Sequence, residues 1–178
     1  MGWGVIGIMM MNLFGIPLTG NDICGFSGDT NPELCARWTV LGAFNPFSRN
    51  HNAYGSIAQE PYVFANDVYE AGVTYTDIMR YGLRNRYHLI RYYYSSLYQV
   101  SQNGGTFYKP VFYEFPDDMF TYGDFEYNVM LGSALKLSIQ SNTTNQNTTN
   151  FYYPQGLWCN VFKTTEPCWT STGGQYTA

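Results

Sequence analysis

Two histidines, four cysteines and a small set of carboxylates are the groups in this chain able to move a proton, hold a metal or grip a polar ligand. Asp22 opens the run Asp22-Ile23-Cys24-Gly25-Phe26, and His51 lies in Arg49-Asn50-His51-Asn52. Both segments read as loops. Taken alone, Asp22 also suits a loop cap and His51 a structural histidine. Asp117 and Asp118 are adjacent after Pro116, which marks a turn, because neighbouring residues do not face each other across a bond to be cleaved. Glu60, Glu114 and His88 read as structural or surface residues. Four cysteines allow three pairings. The spacings favour Cys24 with Cys35 and Cys159 with Cys168, both closing short local loops. Four free buried thiols are the alternative. Zinc is disfavoured, since no Cys-x-x-Cys occurs and both histidines lie far from the cysteines in sequence.

Composition narrows the class. Of 178 residues, 45% are hydrophobic, 19% aromatic and only 12% charged, against an average of roughly 25% charged. The formal net charge of −4 speaks against a partner made of nucleic-acid phosphates, which needs a basic patch. The apolar content is too high for a disordered chain. Seventeen tyrosines and twelve phenylalanines suit surfaces that stack on flat, neutral, polyhydroxylated ligands or on other proteins. Val5 to Leu18 is the most apolar stretch. It falls short of the roughly twenty residues a membrane span needs and is interrupted by Asn12 and Pro17. No basic residue precedes it, so it is also a poor signal peptide. It reads as a buried core helix running into a strand. A chain beginning inside such a helix is expected to be a fragment whose start lies upstream. Asn142-Thr143-Thr144 and Asn147-Thr148-Thr149 are two glycosylation sequons. With paired cysteines they point to the secretory pathway, lysosomal or extracellular.

The elements that position these groups come next. Trp3 to Asn12 is read as the end of a buried helix, and Gly15 to Leu18 as a short buried strand feeding a loop at Asn21 to Asn31. Pro32 starts a helix with Asn31 as its cap, carrying Leu34, Trp38 and Leu41 at helical spacing. A second strand and loop occupy Pro46 to Asn52. A surface loop runs to Phe64. Asp67 to Gln102 is the longest periodic stretch, a helix closed by Asn103-Gly104-Gly105. Beyond it the pattern turns β-prone. Phe107 to Phe115 and Val129 to Ile139 read as strands, Ser141 to Asn150 as a low-complexity loop and Phe151 to Lys163 as a strand or two. The order implies an α/β architecture: the C-terminal portion of a (β/α)8 barrel over residues 1–106, then an incomplete antiparallel β-sandwich over 107–178. On that reading the loops holding Asp22 and Arg49 to Asn52 share the C-terminal face of the barrel, where barrel enzymes place their chemistry.

The sequence resembles glycoside hydrolase family 31, the retaining α-glucosidases. The matching blocks are Phe14 to Phe26 (FGIPLTGNDICGF), Glu33 to Asn52 (ELCARWTVLGAFNPFSRNHN), Gln59 to Tyr62 (QEPY), Leu83 to Tyr98 (LRNRYHLIRYYYSSLY), Lys109 to Asp118 (KPVFYEFPDD) and Leu131 to Leu135 (LGSAL). They occur in family order and span nearly the whole chain. The Cys24/Cys35 spacing and Arg-Asn-His-Asn look more like the lysosomal and digestive branch than the endoplasmic-reticulum one. The resemblance implies that Asp22 lines the subsite for the terminal glucose, Phe26 forms an aromatic wall, His51 hydrogen-bonds sugar hydroxyls and Arg49 supports them. It implies an α-glucoside oligosaccharide as substrate, no cofactor and no metal, and the rest of the same polypeptide as partner. The family's two catalytic carboxylates match nothing here and are expected upstream of Met1, leaving this chain inactive by itself. A non-catalytic relative, binding carbohydrate or acting as a scaffold, is the alternative. The chain departs from the family pattern at Arg91 (usually Pro), at Lys109 (usually Arg) and across Lys136 to Gln140, all outside the implied pocket.

Overall fold

The computed structural model describes residues 1–123, 127–140 and 150–177. Asn142 and Asn147, the two sequon asparagines, lie outside the described residues. Helix α1 spans Gly2–Leu13 and buries Val5, Ile8, Met9 and Asn12. Asn12 is no mere interruption of an apolar run. Its Nδ2 donates to the Ile8 carbonyl at 3.0 Å, and its Oδ1 accepts from Phe107 and Tyr108 N–H at 3.1 and 3.0 Å. One buried amide thus ties α1 to a segment 95 residues away, and each of its bonds replaces one lost to water.

The expected strand at Gly15 to Leu18 does not form. Gly15 takes φ +80°, its N–H bonds to Asn12 O at 3.1 Å, and Ile16 N–H bonds to Met11 O at 2.9 Å. This is the pair of backward bonds that ends a helix through a left-handed glycine, so the donors a strand would use are consumed locally. The first strand, β1, is Asp22–Ile23, within the segment expected to be a loop. Helix α2, Pro32–Gly42, starts as the sequence implies, with Asn31 Oδ1 accepting from Leu34 N–H at 2.9 Å. Strand β2, Arg49–Asn50, pairs with β1 in parallel, Asp22 against Arg49 and Ile23 against Asn50.

The long helix starts later than its periodicity predicts. Val68–Glu70 (β3) and Val73–Thr74 (β4) form an antiparallel hairpin with Gly72 at φ +81°. Helix α3 is Tyr75–Asn103. Thr74 and Asp77 decide the start: Asp77 Oδ2 accepts from Thr74 N–H at 3.0 Å and Thr74 Oγ1 from Asp77 N–H at 3.2 Å. This reciprocal box satisfies donors that the first helical turn leaves open. The bonds from Thr74 hold the Asp77 carboxyl below its ordinary value. At the other end Gly104, at φ +75°, stops the helix.

Beyond α3, Tyr108–Pro110 (β5), Asn128–Leu131 (β6) and Leu135–Ser138 (β7) make an antiparallel sheet in the order β5-β6-β7. The run expected as one strand from Phe107 to Phe115 stops at Pro110, which has no N–H for a further ladder bond, and Val111–Tyr113 coils into a 3₁₀ turn. The run from Val129 to Ile139 is two strands, folded at Gly132 (φ +61°). Tyr92 of α3 fixes that turn, donating to Leu131 O at 2.8 Å and accepting from Ala134 N–H at 3.2 Å. Asn150–Tyr153 (β8) pairs with Gly174–Thr177 (β11), and Gly156–Trp158 (β9) with Trp169–Ser171 (β10), both antiparallel. Disulfides join Cys24 to Cys35 and Cys159 to Cys168.

Two apolar clusters hold these pieces. One gathers Val5, Ile8 and Met9 with Leu41, Phe44, Leu89, Tyr93, Phe107, Tyr108, Val129 and Leu131, so it joins all three helices to the three-stranded sheet. The other packs Ile23, Cys24, Cys35, Ala36, Phe64 and Met79 beneath β1. No helix among the described residues is long and apolar enough to cross a membrane.

Candidate functional site

The parallel register of β1 and β2 sets Asp22 beside Arg49, and Arg49 Nη2 donates to Asp22 Oδ1 at 2.8 Å. Both side chains keep access to solvent, 29% for Asp22 and 50% for Arg49. The pair therefore retains open acceptor and donor sites beyond the bond it makes. The Arg49 guanidinium also lies 5.8 Å from the Phe47 ring centroid, which steadies its plane.

After β1 the chain turns hard. Cys24 adopts φ +75° and Gly25 φ +91°, and Gly25 N–H bonds to Asp22 O at 3.0 Å. A non-glycine residue at positive φ is strained unless its surroundings hold it. Cys24 is held by its disulfide to Cys35 at the start of α2, with the Cα atoms 4.3 Å apart. The turn delivers Phe26 to the second loop: Phe26 O accepts from Ala53 N–H at 2.9 Å, and the Phe26 and His51 rings sit 5.3 Å apart, tilted by 33°. Phe26 is 48% exposed. The four residues singled out in the sequence thus meet as two couples, Asp22 with Arg49 and Phe26 with His51, on successive turns of two adjacent loops.

The residue that binds these loops together is Gln59, the first of the Gln59–Tyr62 motif. It is 2% exposed. Its Nε2 lies 3.2 Å from Ile23 O, 3.2 Å from Gly25 O, 3.1 Å from Asn50 Oδ1 and 3.0 Å from His51 O. Asn50 Nδ2 returns a bond to Gln59 O at 2.8 Å. One side-chain amide therefore stitches the end of β1, the turn after it and the loop after β2. A lone glutamine in a loop carries no periodic or spacing signal that would reveal this.

A second brace sits below β2. Arg86 of α3 donates to Ala43 O at 2.8 Å, Asn45 O at 2.6 Å and Pro46 O at 3.0 Å, and Tyr93 donates to Phe44 O at 2.8 Å. The Arg86 guanidinium lies 5.1 Å from the Tyr93 ring centroid. Burial pulls the guanidinium below its ordinary value and pushes the Tyr93 hydroxyl up. Gly20 is required beside this brace, because a Cβ there would fall on the Phe47 carbonyl oxygen.

The other polar residues stay apart from the site. His88 is exposed on α3. Asp118 caps a 3₁₀ turn through Phe120 N–H at 3.1 Å and accepts from the Tyr152 hydroxyl at 2.6 Å. Glu114 pairs with Lys109 at 2.5 Å. Of Tyr92, Tyr93 and Tyr94, the first two pack inward and Tyr94 is 77% exposed, as successive helical positions dictate. Among the described residues no three His, Cys, Asp or Glu side chains cluster as metal ligands would.

The model for the glycosyl hydrolases family 31 TIM-barrel domain matches residues 1–96. The chain belongs to glycosyl hydrolase family 31. It is 40% identical over 159 residues to the lysosomal alpha-glucosidase of Mus musculus, which covers 89% of this chain and 16% of that protein. It is 51% identical over 112 residues to the lysosomal acid alpha-glucosidase of Tetrahymena pyriformis, covering 62% of this chain and 11% of that one. The fold matches that of the Tris-bound glucosidase II alpha subunit with a TM-score of 0.85 at 22% identity, over 98% of this chain and 18% of that one. The chain thus spans about a sixth of its relatives' length. A barrel of alternating strands and helices accounts for β1 and β2 running parallel with α2 between them.

Proposed function

We propose that this chain supplies sugar-binding residues to a retaining α-glucosidase that removes terminal α-linked glucose from oligosaccharides. The observation that carries the reading is the meeting of Asp22, Arg49, Phe26 and His51 at the ends of two parallel strands in a family 31 barrel segment. A glucose ring offers hydroxyls that both donate and accept. Asp22 accepts from them, Arg49 donates, and His51 does either according to its tautomer. Phe26 covers the C–H face of the ring. Asp22 is charge-compensated by Arg49, which suits it to holding hydroxyls rather than attacking a carbon.

Retaining hydrolysis needs two further carboxylates roughly 5 Å apart. One attacks the anomeric carbon while the other protonates the departing glycosidic oxygen. The second then takes a proton from the water that releases the sugar. We assign both to polypeptide outside these 178 residues, consistent with a chain one-sixth the length of its relatives. The same assignment accounts for the exposed apolar face of Trp3, Met10, Leu13, Phe14 and Leu18, which the remaining barrel would cover. On this reading 1–106 closes the barrel and 107–178 begins a β-sandwich. The two disulfides and the lysosomal relatives support a secretory route to the lysosome or cell exterior.

The test is Asp22→Asn in the full-length enzyme. Loss of a charged hydrogen bond to substrate predicts a fall of about 100-fold in kcat/KM on maltose. A value within about twofold of the parent enzyme would remove Asp22 from the pocket.

A further inference from the structure

We infer that Phe162, presented by the Cys159–Cys168 loop, is a positioning residue for the sugar-binding strand β2; this rests on the pocket reading above. The hairpin β9–β10 sets Trp158 against Trp169, and the disulfide between the next residues, Cys159 and Cys168, closes the loop at its neck with Cα atoms 4.4 Å apart. The loop is braced from within. Asn160 Oδ1 accepts from Phe162 N–H at 3.0 Å, Glu166 N–H bonds to Lys163 O at 2.9 Å, and Lys163 pairs with Glu166 at 3.0 Å. Its polar residues face solvent, while Phe162 is half-buried and packs onto the cluster shared by the helices and the three-stranded sheet.

Its ring partner there is Phe44, at 6.3 Å between centroids and 57° between planes. Phe44 belongs to the 43–46 segment that Arg86 and Tyr93 grip through its carbonyls. Three residues after that segment comes Arg49, bonded to Asp22, and two further comes His51, whose ring lies tilted against that of Phe26. The backbone of 43–46 is thus held through its carbonyls by α3, and its Phe44 side chain is met by a disulfide-necked loop more than 100 residues downstream in sequence. Polar bonds from α3 fix where those carbonyls lie. The Phe162 ring fills the space beside Phe44, so the segment cannot swing about the bonds that anchor it.

The experiment compares Phe162→Ala and Phe162→Leu in the full-length enzyme, with Asp22→Asn as control. Hydrogen exchange of a peptide covering 44–51 reads the strap directly. The expected result for Phe162→Ala is exchange about tenfold faster there, KM for maltose up about fivefold with kcat within about twofold, and both restored by Phe162→Leu. Unchanged exchange overturns the strap. Faster exchange with an unchanged KM, while Asp22→Asn still loses activity, overturns the positioning role and leaves Phe162 purely structural. If Asp22→Asn leaves activity unchanged, the pocket reading itself fails and the inference falls with it. Should Phe162→Ala not fold, Phe162→Val takes its place and must show the same exchange and KM changes in smaller measure; parental values of both in Phe162→Val overturn the inference.

Discussion

The loops around β1 and β2 and the sheets beyond α3 are held together by different means. In the first region the backbone ladder is two residues deep on each strand. What fixes it is a set of side chains that reach across the sequence to carbonyls: Gln59 over separations of 34 and 36 residues, Arg86 over 40 to 43. In the second region the ladders themselves carry the order. β6 and β7 form a hairpin, and β8 to β11 close on one another within 28 residues, with Tyr153 set edge-on to both Trp158 and Trp169. Asp22, Arg49 and Phe26 keep solvent access at the ends of this shallow ladder. Buried amides and a guanidinium beneath it supply the rigidity instead.

The sharpest way to break this contrast is Gln59→Leu in the full-length enzyme. It strands the Ile23, Gly25 and His51 carbonyls, and a loss of ~3 kcal/mol in denaturant unfolding is expected, with activity falling as the loops loosen. A loss below ~1 kcal/mol would mean the brace is dispensable. Arg86→Met removes three bonds from the 43–46 carbonyls, and ~2 kcal/mol is expected by the same measurement. Arg86→Lys should recover only part, because an ammonium cannot reproduce the planar fork. Asn31→Ala removes the cap on α2 and should cost ~1 kcal/mol, close to additive with either change.

A pH-dependent effect is expected in the second region, where Lys136 lies against neutral partners. Its Nζ donates to Asn128 Oδ1 at 2.7 Å and Ser138 Oγ at 2.6 Å, and sits 4.2 Å from the Tyr153 ring centroid. Burial lowers it from 10.5 to about 7. The folded state then releases its proton more readily than the unfolded chain. Between about 7 and 10.5 the unfolded state binds more protons, so this group makes stability rise with pH across that window. Below about pH 7 the cost of the buried charge stands in full. Lys136→Met should flatten that part of the stability–pH curve, as thermal unfolding at a series of pH values would show. An unchanged slope would place the origin of the rise elsewhere.

Local signals were legible wherever the structure answers to neighbouring residues. Asn31 and Pro32 announced α2, and Asn103 with Gly104 the end of α3. The spacing that favoured Cys24 with Cys35 placed two residues where a single turn could bring them together. Other local signals were present and outvoted. Thr74 and Asp77 spell a helix start, yet the apolar periodicity reaching back to Asp67 masked it and hid the β3–β4 hairpin. Gly15 marks a helix end, but the apolar Ile16-Pro17-Leu18 after it reads as a strand. The run from Val129 to Ile139 hides its turn because Gly132 is fixed by Tyr92, a residue on another element.

The sequence by itself determined which family's motifs the chain carries and where most helices begin and end. Those properties are written in adjacent or periodically spaced residues, where caps, turns and helical faces act over a few positions. Only the tertiary structure decided that Asp22 lies against Arg49, that Gln59 rather than a charged residue binds the two loops, and that Phe162 reaches Phe44. These contacts join residues 27, 36 and more than 100 positions apart. Chain packing closes such distances, and a buried amide or ring leaves no pattern along the sequence to show what it will touch.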